Sequence, residues 1–272
     1  MSNILITGTK GFIGQNLKDI LIQNHNIIEI NEDIFDFTDW DKKILYILNY
    51  NKPNVIYHVG ACSDTLEHNV NYMMKLNFES TKLLVDWSMK NSSKIIYSSS
   101  AANYGVNNSF PSNLYGWSKY VSEQYVISSN GIALRYFNVY GPKENHKKRM
   151  ASVAYNSYSK FKNGNIVKLF PKKPMRDFVY VKDVIEANLH ASINYDKLNR
   201  NYYDVGFGES RTFEDVLNIL GIPYEYYEES EIPVGYQFYT CSNKNKWMEG
   251  WTPKYNLEDG LIDYKSYLEL SI

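Results

Sequence analysis

A chain of 272 residues, 44% hydrophobic and 22% charged, is long enough to bury a substantial core, as one large domain or a domain with a smaller appendage. Its formal net charge of −1 gives no general pull toward nucleic acid or a membrane surface, and its two cysteines, Cys62 and Cys241, are too few for a disulfide framework. No apolar run approaches the roughly 18–20 residues of a membrane span, and the opening residues carry no basic leader or cleavage site, so a cytoplasmic protein with reduced thiols is expected.

Asn3–Thr7 reads as a buried strand that runs into Gly8-Thr9-Lys10-Gly11-Phe12-Ile13-Gly14 and a helix to about residue 23. Glycines at this spacing permit a tight turn, close backbone approach to a pyrophosphate and close helix–strand packing, while the helix N-terminus attracts the anion. A lone glycine turn is common; strand, turn and helix together make a dinucleotide fingerprint. Strands at 27–30, 54–58, 94–98 and 132–136 then alternate with helices at 39–49, 68–90 and 115–129. That rhythm predicts an α/β fold, a Rossmann-type doubly wound parallel sheet. Ligands of such sheets sit beyond the carboxyl ends of the strands, where Gly8, Gly60, Ser100 and Asn138 all fall.

Beyond Pro142 the rhythm loosens into a helix at 150–161, a short strand at 167–170, and a 176–181 run leading into a helix at 183–194. A strand at 202–205, a helix at 212–220 with Thr212 as N-cap, and a terminal helix at 257–270 complete the chain. No repeat or flexible linker interrupts it. The expected organisation is a dinucleotide-binding domain of 1–142, to which 177–206 returns, and a smaller interleaved substrate lobe of 143–176 and 207–272.

The chemistry concentrates between residues 95 and 149. Tyr115 and Lys119, four apart, share one face of a helix and can point into one pocket. A phenol titrates near 10, too weak a base for neutral pH, but an adjacent ammonium favours the phenolate, with each pKa unit corresponding to about 1.4 kcal/mol. Ser100 adds a hydroxyl to the same substrate oxygen. The trio suits removal of an alcohol proton while hydride leaves its carbon. Among 25 tyrosines such pairs also arise by chance on surface helices, so the position downstream of the fingerprint is what gives this one weight. His25, His58, His68, His146 and His190 have no metal-ligand spacing, and no metal is expected.

Further stretches carry a resemblance: Gly60-Ala61-Cys62-Ser63 with Glu67, Tyr72-Met73-Met74, Tyr104-Gly105, the run from Arg135 to Pro142, and Arg176 to Val181 with Tyr236-Gln237. Through them the chain resembles the extended short-chain dehydrogenase/reductases, in the branch of nucleotide-sugar epimerases and dehydratases. His146-Lys147 followed by Met150-Ala151-Ser152-Val153-Ala154 is more particular, and is similar to the ADP-glycero-manno-heptose 6-epimerases within that branch.

The resemblance implies roles. Gly8, Gly11, Phe12, Ile13 and Gly14 would hold the cofactor pyrophosphate; Gly60, Ala61, Cys62 and Ser63 would line its ribose and nicotinamide, with Asn77 and Val139 nearby. Tyr115 would be one acid/base and Lys119 its electrostatic partner, both also against the cofactor, and Ser100 the third member. Lys147 would be a second acid/base. Ser63, Asn138, Arg149, Asn156, Phe170, Arg176 and Tyr236 would bind substrate, Arg176 by a bidentate grip on the diphosphate. Epimerisation at one carbon makes a second base useful, because hydride leaves one face and returns to the other. The bland alternatives are a solvated basic loop for Lys143 to Arg149 and a salt bridge from Arg176 to Asp177.

Departures from the family pattern matter. Lys10 replaces a small residue and Asn31 replaces an acid that would bind ribose hydroxyls and repel a 2′-phosphate, which favours NADP over NAD; Glu32 and Asp33 lie close enough to reverse the balance. Arg149 and Asn156 stand where the family has a small hydroxyl residue and a histidine, and the 170–176 loop is shorter. The expected function is a nucleotide-diphosphate-sugar epimerase acting through a transient keto-sugar. A 4-epimerase or 4-keto-sugar reductase is the alternative, and a non-catalytic dinucleotide sensor the remote one. A 4,6-dehydratase would carry an Asp-Glu pair where Ala101 and Ala102 stand. The expected partners are a nucleotide sugar and further copies of the chain, assembled through helices like 68–90 and 115–129.

Overall fold

The first strand, β1 (Asn3–Thr7), lies at the centre of the molecule because its apolar residues face helices on both sides; Leu5 and Ile6 are fully buried. The computed structural model describes residues 1–106, 109–233 and 236–271. From β1 the chain runs through α1 (Phe12–Leu21), β2 (Asn26–Ile30), α2 (Trp40–Asn51) and β3 (Val55–His58). The expected helix of 68–90 is not uniform. It is α3 (Val70–Met74), a π-helical turn over Lys75–Glu79, then α4 (Ser80–Asn91). The wider turn places Asn77 in the interior, as such turns often do at functional sites.

Next come β4 (Lys94–Ser100), α5 (Leu114–Ser128), β5 (Ile132–Tyr136), β6 (Asn138–Tyr140), α6 (Val153–Lys162) and β7 (Val167–Leu169). They are followed by β8 (Met175–Tyr180), α7 (Val181–Ile193), α8 (Tyr195–Leu198), β9 (Asn201–Val205), β10 (Ser210–Thr212) and α9 (Phe213–Leu220). Two elements close the chain, β11 (Tyr224–Tyr226) and α10 (Leu257–Ser271).

Six strands form one sheet in the order β2-β1-β3-β4-β5-β9, parallel throughout. Ile4 and Ile6 of β1 pack toward Leu17 of α1 and Val184 and Ala187 of α7, whereas Leu5 faces Ile44, Leu84 and Val126 of α2, α4 and α5. The sheet is therefore doubly wound, as the sequence rhythm predicts. Its order reverses between β1 and β3, the switch point where a doubly wound sheet opens a crevice. Gly8 and Gly60 end those two strands. Gly8 has φ +71°, and a Cβ on it would meet Gly60 Cα at 2.6 Å, so the crevice floor requires glycine.

The second group of elements packs around Tyr140, Phe178 and Tyr180 of β6 and β8, covered by Tyr158, Leu217, Leu261 and Tyr264 from α6, α9 and α10. Strands β10, β8 and β6 form a small sheet, and β11 pairs with β7. The three-residue strands β6, β10 and β11 are additions to the sequence reading. Thr212 caps α9 through a capping box with Asp215. Among the described residues no helix is long and apolar enough to cross a membrane.

Candidate active site

A cavity of about 670 Å³ opens over the carboxyl ends of β1, β3 and β4. Its first wall is the glycine turn, where Gly8 N–H donates to Ile30 O at 2.7 Å and Gly11 N–H to Gly8 O at 2.9 Å. Gly11 at the α1 N-cap has no side chain to satisfy the first-turn amides, which leaves them available to an anionic group. A Cβ on Gly14 would clash with Gly8 O, so the helix packs too closely for any other residue. Gly8, Lys10, Gly11, Phe12, Ile13 and Gly14 all line the cavity, as expected.

At the end of β2, Asn31 Oδ1 accepts from Lys10 N–H at 3.0 Å and its amide meets Thr9 Oγ1 at 3.0 Å. Lys10 Nζ lies 3.5 Å from Asp33. Glu32 accepts from the Tyr72 hydroxyl, and both acids share the cavity wall with Asn31.

Gly60, Ala61, Cys62 and Ser63 form the next wall. Asn77, expected near the cofactor, stands one layer behind this wall. Its side chain instead clamps the loop from behind: Oδ1 accepts from Cys62 N–H at 2.8 Å, and Nδ2 donates to Cys62 O at 3.0 Å and Ser118 Oγ at 2.8 Å. Burial pushes the Cys62 thiol up, which suits a packed residue rather than a nucleophile. Below, Thr7 Oγ1 accepts from Gly60 N–H at 2.8 Å and meets His58 Nδ1 at 2.8 Å. Burial, followed by the charge of Lys119, lowers His58 to about 3, so it is a neutral structural imidazole.

Asn113 caps α5 by accepting from Gly116 N–H at 2.8 Å, which puts Tyr115 in the first turn and Lys119 one turn on. Both line the cavity with Ser100. Lys119 is buried, its ammonium 4.5 Å from the Tyr97 ring centroid. Burial lowers its pKa to about 7, opposed by Glu123. Burial raises the Tyr115 phenol, opposed by a hydrogen bond with Ser100. Desolvation is thus the largest influence on Tyr115, and Ser100 offsets it.

Sequence reasoning missed what holds α5 in place. Arg135 donates to the Glu123 carboxylate from Nε at 2.8 Å and Nη2 at 2.6 Å, and Ser99 Oγ donates to it at 2.6 Å. The guanidinium sits 3.7 Å from the Tyr202 ring centroid and 4.5 Å from that of Tyr104. Glu123 continues the i, i+4 series Tyr115–Lys119, so a charge on the buried face of that helix was the available signal.

Lys147 joins the same cavity from the loop after Pro142, its ammonium 5.4 Å from the Phe12 ring centroid, with Val139 nearby on the wall. Burial lowers its pKa, opposed by Glu144. Its neighbours point elsewhere: Lys143 pairs with Asp19, Arg149 Nη2 donates to Asp64 at 2.7 Å, and Lys148 is exposed. Of Lys143, Lys147, Lys148 and Arg149, only Lys147 lines the cavity.

Of the expected substrate residues, Ser63 lines the cavity. Phe170, Arg176 and Tyr236 cluster away from its wall: Arg176 stands 5.5 Å from the Tyr236 ring centroid, and Phe170 meets Tyr236 edge-on at 5.1 Å. Arg176 makes no salt bridge to Asp177. It donates to Gln237 O at 2.5 Å, while Asp177 accepts from the Phe207, Gly208 and Ser242 amides. Asn138 is exposed and meets Thr240 Oγ1 at 3.5 Å, and Asn156 donates to Ala151 O at 2.8 Å. Neither they nor Arg149 reach the cavity wall. Among the described residues no group of His, Cys, Asp or Glu could hold a metal ion.

Residues 4–206 match the sequence profile of the NAD dependent epimerase/dehydratase family. The chain is 33% identical to an ADP-L-glycero-D-manno-heptose-6-epimerase of Brachyspira hyodysenteriae, with 98% of each covered. It is 32% identical to the enzyme of that name from Pseudomonas aeruginosa, with 99% of each covered. The alignments run over 315 and 334 positions against a chain of 272, so these relatives carry insertions that this one lacks. Among solved structures, the Helicobacter pylori ADP-L-glycero-D-manno-heptose-6-epimerase superposes with a TM-score of 0.86 at 27% identity, covering 98% of this chain and 96% of that one. A UDP-glucose 4-epimerase from Thermotoga maritima gives 0.84 at 26%, covering 99% of each.

Proposed function

The chain belongs to the NAD dependent epimerase/dehydratase family, and from that premise we propose that it inverts one carbinol centre of a nucleotide-diphosphate sugar, as an ADP-glycero-manno-heptose 6-epimerase-like enzyme. One observation carries this reading. Tyr115, Ser100 and Lys119 share a cavity with a second desolvated lysine, Lys147, supplied by a separate loop.

The cavity suits a nicotinamide dinucleotide by its glycine floor and by the uncapped start of α1. Bound there, the nicotinamide supplies a reversible hydride acceptor. Tyr115 takes the proton of the sugar hydroxyl, Ser100 holds that oxygen by hydrogen bonding, and Lys119 supplies the positive charge that favours the phenolate. A keto-sugar results. With hydride delivered to the opposite face, Lys147 would manage the proton of the inverted hydroxyl. Burial lowers Lys119 to about 7, where its proton can move either way, and burial also lowers Lys147 from the ordinary lysine value. Arg176 is the expected grip on the nucleotide diphosphate, with Phe170 and Tyr236 as further substrate contacts beside it, and we divide the chain at 142/143, 176/177 and 206/207 into the two lobes that hold cofactor and substrate.

NADP is the cofactor we infer. Asn31 is uncharged and the exposed Lys10–Asp33 pair is weak, so a dianionic 2′-phosphate replaces Asp33 as the partner of Lys10. NAD is the second reading, favoured by Glu32 and Asp33 on the same wall. Lys10→Ala distinguishes them, since it weakens NADP binding selectively if NADP is the natural ligand and leaves the NADP/NAD ratio unchanged if it is not. A homo-oligomer assembled through α4 and α5, and a cytoplasmic setting, belong to the same proposal.

The test is turnover of ADP-heptose epimers with catalytic cofactor, followed by NMR. Interconversion of the 6-epimers supports the reading. Interconversion only at C4 of other nucleotide sugars transfers the assignment to a 4-epimerase, which the likeness to the Thermotoga enzyme favours as second choice, and stoichiometric loss of reduced cofactor transfers it to a reductase.

A further inference from the structure

Glu144 opens the loop that carries Lys147, and its carboxylate is fully buried. Burying a carboxylate is costly unless its oxygens are satisfied. Here four donors converge on it. Oε1 accepts from Ser152 Oγ at 2.7 Å, Tyr264 Oη at 3.0 Å and Gly141 N–H at 3.3 Å, and Oε2 accepts from Ser152 N–H at 2.5 Å. These donors come from three places: the end of β6, the N-cap of α6, and α10. Among the described residues no lysine, arginine or histidine comes within 4.0 Å to form an ion pair with Glu144, so hydrogen bonds are its direct partners, with the Lys147 charge acting from farther off.

The loop between these anchors is not relaxed. Lys143 has φ +74° and Lys148 φ +50°, left-handed conformations on either side of Lys147 that non-glycine residues hold only when their surroundings compel it. The Glu144 carbonyl accepts Lys147 N–H at 3.0 Å, so the carboxylate that ties down the loop ends sits on the residue that starts the turn beneath Lys147. Proton transfer demands heavy-atom approach to about 2.6–3.2 Å, and a misplacement near 1 Å can cost about a hundredfold in rate.

We propose that Glu144 is a positioning residue for the reaction: it pins both ends of the 143–152 loop and so holds the Lys147 amine at the cavity wall beside Phe12. It acts on the part of the proton traffic that Lys147 carries and leaves the part carried by Tyr115 alone. The inference rests on the acid/base reading of Lys147.

The experiment is single-turnover hydride transfer from each separate 6-epimer of ADP-heptose to enzyme loaded with oxidised cofactor, followed by absorbance of the reduced nicotinamide. In each half-reaction hydride leaves the carbinol carbon while a base takes the hydroxyl proton. Lys147→Met slows the half-reaction of one epimer by about a hundredfold or more and spares the other. Glu144→Gln slows the same half-reaction by at least about tenfold at saturating substrate, leaves the other within about twofold, and adds nothing in the double variant with Lys147→Met. Equal slowing of both half-reactions, slowing of neither, or a double variant slower than Lys147→Met by the factor of Glu144→Gln overturns the proposal. If Lys147→Met is itself two-sided or silent, the acid/base reading fails and takes this proposal with it, a pattern distinct from the others. Should Glu144→Gln fail to fold, Tyr264→Phe removes one donor without touching the loop; the same one-sided loss, smaller in size, is expected, and a symmetric loss or none overturns the proposal.

Discussion

Glu123 and Arg135 form a buried two-point ion pair one helical turn beyond Lys119, with guanidinium–carboxylate distances of 2.6 and 2.8 Å. The pair fastens α5 to β5, and through Ser99 to β4, so the helix that carries Tyr115 and Lys119 cannot slide against the strand that carries Ser100.

Glu123→Ala leaves Arg135 buried without its partner, and is expected to destabilise the fold by about 3–5 kcal/mol. Urea denaturation measures this. Replacing both members by apolar residues is expected to cost less than the single change. A single-variant loss below about 1 kcal/mol would show that the pair is not what holds α5.

Lys119 ties stability to pH. Its folded pKa of about 7 lies below the ordinary lysine value, so the folded state releases a proton that the unfolded chain keeps between pH 7 and about 10.4. Stability contributed by this group therefore rises with pH across that window, and the buried ammonium is a burden below it. Lys119→Met removes the dependence. Denaturation of the cofactor-free protein from pH 7 to 9.5 is expected to give a steeper rise for the wild type than for the variant; parallel curves would contradict it.

Asn77→Ala frees the Cys62 peptide, whose N–H and carbonyl both depend on the Asn77 side chain. The 60–63 wall is expected to loosen, weakening cofactor binding about tenfold, the equivalent of about 1.4 kcal/mol. Isothermal titration of the cofactor checks this. Unchanged affinity in a folded variant would mean that the loop holds itself.

Gly8→Ala places a Cβ against Gly60 on a residue at φ +71° and is expected to abolish dinucleotide binding. Gly164→Ala is the matched control: it shares a positive φ, of +72°, but a Cβ there meets nothing within 4 Å. Cofactor fluorescence that responds equally to both would show that backbone strain, rather than the closed floor of the crevice, sets the effect.

The inner strands of the central sheet were legible because they are buried on both faces and read as apolar runs alternating with helical segments. Strand β5 was expected over the residues it occupies, and α5 within one residue at each end. Strands β6, β10 and β11 were not legible, since three residues carry no period and their pairing is decided by distant partners. The site shows the same division. Tyr115, Lys119 and the glycines announce themselves by spacing. Glu123, Glu144 and the clamp role of Asn77 do not, because the groups they satisfy lie up to 120 residues away, as with Glu144 and Tyr264.

The most direct test of the account is Tyr115→Phe, assayed for sugar epimerisation beside cofactor binding. Phe keeps the half-buried ring in its place and removes only the oxygen that meets Ser100. Turnover is expected to fall by about a hundredfold or more with cofactor still bound. Turnover near the wild-type rate in a variant that holds its cofactor would contradict it.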